Sequence, residues 1–217
     1  MLKYLILPAV ALMLSLSTRA QAHVGLALDY EHIHAPVYEN LGSGSAVGGS
    51  AFLYAPFAHN LGLDMSLDFA GGHTTYQFMP FSPAPGYPTH VVSDRRDFTY
   101  TAIPVHIVYS YSSRHVRLFG GAGMAFTHLS MDVQNFHGWE MGGTCNTLSL
   151  SIKGGAELFR HIALSGEFRP VNAVVNKTDK YQYNAYKVSN LLSVKFGYAF
   201  GDIRPTKHSV RKKRPNT

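Results

Sequence analysis

The chain has a single cysteine, Cys145, so no intrachain disulfide framework holds it together. Charge is scarce too: Asp, Glu, Lys and Arg make up 15% of 217 residues, against roughly a quarter in soluble domains. With 46% hydrophobic residues and a mean hydropathy of −0.04, such a chain is no disordered polyelectrolyte. Long apolar runs are also missing. The longest, Leu5 to Leu16, is about a dozen residues, short of the ~20 that a membrane-spanning helix needs. What the chain does have is 20 Gly, 13 Tyr and 13 Phe, the usage of a β-protein whose strands carry rings and whose close contacts need small residues. The length suits one domain, or at most two small ones.

The formal charge of +6 sits at the two ends. Lys3 and Arg19 lie in the first segment. Arg204, Lys207, Arg211, Lys212, Lys213 and Arg214 outweigh Asp202 in the last. Without them residues 23–200 are close to neutral, so no basic face remains for nucleic acid. The first segment reads as an export signal: Lys3, then the apolar run, then Ala20-Gln21-Ala22 with small residues where signal peptidase needs them. This predicts a signal peptide over 1–22, a barrel domain over 23–200 and a basic tail over 201–217.

The mature part alternates. Leu61, Leu63, Met65, Leu67 and Phe69 fall on one face, and Gly62, Asp64, Ser66 and Asp68 on the other. That is a period of two, and therefore a strand. The same pattern places Leu148, Leu150, Ile152, Ala156 and Leu158 opposite Ser149, Ser151, Lys153, Gly155 and Glu157. It places Ile162, Leu164 and Phe168 opposite Ala163, Ser165, Glu167 and Arg169, and Leu192, Val194, Phe196, Tyr198 and Phe200 opposite Ser193, Lys195, Gly197 and Ala199. Weaker segments at Val24–Glu31, Ala46–Phe57, Phe98–Tyr111 and Val116–Val133 bring the count to eight strands. Gly120, Gly121, Gly123, Gly154 and Gly155 lie inside strands, where glycine marks a tight bend or a close backbone approach.

Connections alternate in length. Pro36–Ser45, Met79–Asp97, Gln134–Asn146 and Asn176–Tyr186 are long, whereas Ala58–Asn60, Ser112–His115 and Arg160–His161 are short. Long links at one rim and tight turns at the other predict an all-β, eight-stranded, antiparallel up-and-down transmembrane β-barrel. A soluble barrel also alternates, with its bulky face inside, and alternation alone does not choose between them. Eight strands enclose only enough room for side chains, which suits an inward face of small residues and paired charges. The expected lumen set is Asp64, Asp68, Lys153, Glu157, Glu167, Arg169 and Lys195, with Asp29 and Glu31 beside it. The lumen is expected to be plugged.

The end of the last strand, Leu192-Ser193-Val194-Lys195-Phe196-Gly197-Tyr198-Ala199-Phe200, resembles the terminal β-signal of Gram-negative outer-membrane proteins. Together with Leu118-Phe119-Gly120-Gly121-Ala122-Gly123 and His59-Asn60-Leu61-Gly62-Leu63, it makes residues 23–200 similar to the opacity-type and OmpA-like small β-barrels. The resemblance implies an outer-membrane location after signal cleavage, and lipid and lipopolysaccharide as neighbours. It also implies that the barrel-assembly machinery reads Phe196, Tyr198 and Phe200; separately, no cofactor is expected. One departure is that Gly201–Thr217 follows the Phe at which such chains usually stop.

Candidate chemistry is thin. Lipid A deacylases are barrels of this membrane with a His and a Ser two residues apart on the lipid-facing wall. His128 and Ser130 have that spacing and share a face with Met124 and Phe126, although no longer deacylase motif surrounds them and Glu140, a later carboxylate, lies in a link. His32 and His34 share a face and with His23 could approach a metal, but twelve histidines make chance adjacency the better account, so no metal site is assigned. Phe136, Trp139 and Cys145 belong to the third long link, where rings fold onto the rim or mediate adhesion. The basic tail could meet anionic lipid or the acidic cell-wall polymer. The expected function is a non-enzymatic surface-interaction or structural barrel displaying four surface loops. The alternatives are a deacylase-like enzyme using His128 and Ser130, and a small diffusion pore.

Overall fold

The computed structural model describes residues 22–37, 40–58, 60–78, 92–136, 139–159, 161–175 and 186–200; the expected signal peptide through Gln21, the basic tail and the proline-rich link over 79–91 lie outside them. Eight strands run in chain order: β1 (His23–Val37), β2 (Asn40–Pro56), β3 (Leu61–Phe78), β4 (Val92–Ser112), β5 (Val116–Phe136), β6 (Trp139–Leu158), β7 (Ile162–Val175) and β8 (Tyr186–Phe200). Each pairs antiparallel with the next, and β8 returns to β1 from Val24↔Phe200 to His34↔Asn190. Closure leaves no free edge around the lower wall, the condition for placing backbone polar groups in hydrocarbon.

Three turns close the rim that carries both ends of the barrel. Phe57 and Ala58 donate their backbone N–H groups to Leu61 O at 3.1 and 3.2 Å, and Ser113 N donates to Val116 O at 2.8 Å. The third turn contains Phe159 at a φ of 51°, with His161 N donating to Leu158 O at 3.1 Å.

The opposite rim differs from the sequence expectation. Pro36–Ser45 and Gln134–Asn146, expected as long links, are mostly strand: pairing runs to Val37↔Asn40 and to Phe136↔Trp139. Ladder hydrogen bonds depend on the backbone and not on side chains, so polar stretches such as Gly42-Ser43-Gly44-Ser45 continue a hairpin once its lower half is in register. Strands of 14 to 21 residues result, whereas crossing hydrocarbon needs only about 9–11. The wall therefore rises past the membrane on the surface side.

One seam is shorter than the rest. β6 and β7 pair only from Leu158↔Ile162 to Ile152↔Phe168. In that register Ser151↔Arg169 and then Leu150↔Pro170 would follow, and Pro170 has no N–H to offer a continuing ladder. Above it the strands are bridged by the Thr147 hydroxyl, which donates to Val171 O at 3.1 Å.

Glycines on the inner face of β5 press against β4. A Cβ on Gly123 would lie 1.9 Å from Val105 O, and one on Gly121 would lie 2.1 Å from Ile107 O. Only glycine fits there. Gly120 and Gly154, on the outer face, have ordinary room instead, the nearest atom to an added Cβ being 3.8 Å away.

Candidate functional site

Alternation points two very different layers into the barrel. The lower layer is ionic. Arg169 on β7 meets both oxygens of Glu167 at 2.6 and 3.0 Å and reaches Asp68 on β3 at 2.5 Å. Lys195 on β8 lies 2.7 Å from Asp68, 3.5 Å from Glu167 and 3.9 Å from Asp29. Lys153 on β6 contacts Asp64 at 2.5 Å, and Arg117 on β5 contacts Glu157 at 3.0 Å. All of these side chains are buried. A charge so far from water is tolerable only when paired and hydrogen-bonded, and the sharing of cations among several carboxylates supplies that.

Several members of this layer were missed by the sequence reading. Arg117 stacks over the Tyr54 ring, 3.5 Å from its centroid. Tyr100 donates its hydroxyl to Glu31. His106 Nε2 lies 2.8 Å from Ser151 Oγ, which donates to Glu167 at 2.6 Å. Because the hydroxyl proton goes to Glu167, the serine accepts from His106, which places a ring proton on Nε2. A serine so committed and fully enclosed is a strut, not a nucleophile. The signal for these residues was in the sequence: Arg117 and His106 alternate with the outward Leu118, Val105 and Ile107.

The upper layer is apolar. Ile33, Phe98, Leu129, Met131, Val171, Val188 and Leu191 pack as one buried cluster across the barrel. This corrects the expectation of an interior made of small and charged residues alone. Within the lower part of the ionic layer lies a cavity of about 30 Å³ bordered by Tyr54, Asp64, Arg117, Lys153 and Glu157. That is room for about one water.

The outer wall changes character at the same height. Below, exposed residues are apolar: Leu26, Leu28 and Tyr30 on β1, Leu148, Leu150 and Ile152 on β6, and Val194, Phe196, Tyr198 and Phe200 on β8. Met65 and Leu67 share the outward register but are covered. Above, the outward positions become His32, His73, Thr101, His128, Ser130, Thr144 and Asn146.

His128 and Ser130 do face outward above the apolar band. However, the His128 ring is engaged across the ladder, its Nδ1 lying 2.7 Å from Asn146 Oδ1. The Glu140 side chain is outside the described residues. His32 and His34 point outward whereas His23 is buried, so the strand separates the three, and among the described residues no cluster of three metal-ligating side chains occurs. Cys145 faces inward against the apolar layer, half-buried.

An apolar belt around a closed sheet with an ion-paired interior defines a small transmembrane β-barrel of the outer membrane. The family model described as outer membrane protein beta-barrel domain matches residues 6–200. The chain belongs to that family, and its place is the outer membrane of a Gram-negative bacterium. Among solved structures it is similar to Ail, the attachment invasion locus protein of Yersinia pestis (14% identity, 82% of this chain and 99% of that one, TM-score 0.44). It is also similar to OprG of Pseudomonas aeruginosa (12%, 84% and 97%, 0.47) and to Neisserial surface protein A (16%, 83% and 95%, 0.40). No curated protein matches the sequence.

Proposed function

We propose that this protein is a non-enzymatic barrel that reinforces the outer membrane and presents its hairpin tips to the surroundings, with a lumen closed to solutes. The observation that carries this reading is the filled interior: Arg169 tied to Asp68 and Glu167, beneath the apolar layer of Leu129, Met131 and Leu191. A solute path would have to separate buried ion pairs, at a cost of several kcal/mol, and then part the packed side chains of the apolar layer. Assembly machinery reading Phe196, Tyr198 and Phe200 from the lipid side of β8 is part of the proposal, as is contact of the basic tail with anionic lipid or cell-wall polymer.

The test is twofold. Purified protein in planar bilayers gives no discrete conductance steps, and protein incubated with lipopolysaccharide releases no fatty acid detectable by mass spectrometry. Stepwise conductance would install the pore reading. Fatty acid release that vanishes in Ser130→Ala would install the deacylase.

A further inference from the structure

The turn between β6 and β7 leaves one rung of the barrel short of a donor. Phe159 in this turn sits at a φ of 51°, and the backbone N–H of His161 is spent inside it, on Leu158 O at 3.1 Å. The β7–β8 ladder runs down to Ile162↔Tyr198, so the next rung in that register joins His161 to Ala199. In an antiparallel pair of this kind the two residues exchange both N–H···O bonds. Ala199 N donates to His161 O at 2.7 Å, but no backbone N–H of His161 is left to make the return bond. The imidazole makes it instead. His161 Nδ1 lies 3.1 Å from Ala199 O, which can only accept, so the ring proton sits on Nδ1. The same ring lies nearly parallel to Tyr198, with centroids 5.2 Å apart and planes at 9°, and Tyr198 in turn meets Phe200 edge-on at 5.3 Å.

The place of this rung in the hairpin sets when it forms. A hairpin zips from its tip, because each rung shortens the loop that the next must close, and here the uppermost pair is Val175↔Tyr186. His161 and Ala199 lie at the far end of the zip and are joined last. Joining them uses up what stood open until then: the N–H and C=O of Ala199 on the β7 side, and one face of the Tyr198 ring. A protein that grips the end of β8 from that side, adding its own strand edge and receiving the aromatic side chains, needs the same groups. The two contacts exclude each other.

We propose that His161 is a release latch: by completing the last rung of the β7–β8 hairpin it displaces the barrel-assembly machinery from Tyr198 and Ala199. The proposal rests on the reading that this machinery recognises Phe196, Tyr198 and Phe200, and it adds the step at which that recognition ends.

The test uses the full mature chain, unfolded in urea and diluted into liposomes with or without purified barrel-assembly machinery. Heat-modifiable gel migration counts finished barrels, and co-sedimentation with the machinery counts chains still held. With machinery, His161→Ala is captured as fast as the wild type and released about five- to tenfold more slowly, the weight of one hydrogen bond. His161→Asn, whose side-chain amide is a short donor, restores most of the release rate. His161→Phe keeps a ring to stack on Tyr198 but donates nothing, and does not restore it. Without machinery all three variants fold at the wild-type rate, because a rung formed last contributes little to the folding barrier.

Equal slowing with and without machinery would make His161 an ordinary structural contact and overturn the latch. So would prompt release of His161→Ala, or wild-type release of His161→Phe. The underlying reading fails separately: if Phe196→Ala, Tyr198→Ala and Phe200→Ala are all captured as fast as the wild type, the machinery does not read β8 and the latch has nothing to end.

Discussion

The lower and upper halves of this barrel obey opposite rules. Below, Leu150, Ile152 and Phe196 face out while Lys153, Glu167 and Lys195 are enclosed; above, Leu129, Met131 and Leu191 are enclosed while His32, Thr144 and Asn146 face out. A single strand such as β6 crosses the boundary between Leu148 and Asn146 without a bend or bulge. Backbone geometry is therefore indifferent to which face is greasy. The surrounding medium decides: hydrocarbon outside rewards apolar side chains there and leaves polar ones to pair within, and water outside restores the ordinary arrangement of a soluble protein.

The comparison can be broken most forcefully in the lower half. Arg169→Ala leaves Lys195 as the one lysine or arginine shared by the enclosed Glu167 and Asp68, and is expected to destabilise the barrel by about 3–5 kcal/mol in urea titrations of liposome-folded protein. A loss below 1 kcal/mol would mean that water already reaches this layer. Next in size is a pair of substitutions on one strand. Ile152→Arg puts a cation near the middle of the apolar belt and costs about 2–4 kcal/mol, whereas Asn146→Arg, above the belt, costs about 0–1 kcal/mol in the same assay. Equal penalties would erase the boundary. The smallest effect concerns the short seam. Cys145, half-buried beside it, reacts with a small maleimide in detergent-folded protein faster than a cysteine placed at its fully buried partner by Leu129→Cys in a Cys145→Ser background. Equal rates would mean that the β6–β7 side is as tight as the β5–β6 side.

Strand number, direction and the phase of each strand were legible because alternation survives wherever lipid lies on one side, as in Leu61–Phe69 and Leu192–Phe200. The upper halves were not. Segments such as Gly42–Ser45 and Gly143–Asn146 carry little hydrophobic signal of their own, and they are strands because a partner already in register continues past them. The apolar layer escaped notice for a related reason: Leu129 and Met131 occupy the inward phase of a strand whose outward phase, Met124 and Phe126, is apolar too. The polar collar was half-visible, since His128, Ser130, His32 and His34 stood out as residue types. Only the register across four strands joins His32 to His73 and Asp97, and no reading of one strand at a time reveals a row that runs between strands.

The pairing of β1 with β8 carries a consequence for how the molecule is made. Its first and last ribs are mutual neighbours, so nothing is sealed until the final residues of β8 are delivered, and a chain crossing the periplasm carries two unsatisfied margins throughout. Such a precursor needs escort on its way, and truncation at its far end forfeits the whole vessel and not just one stave.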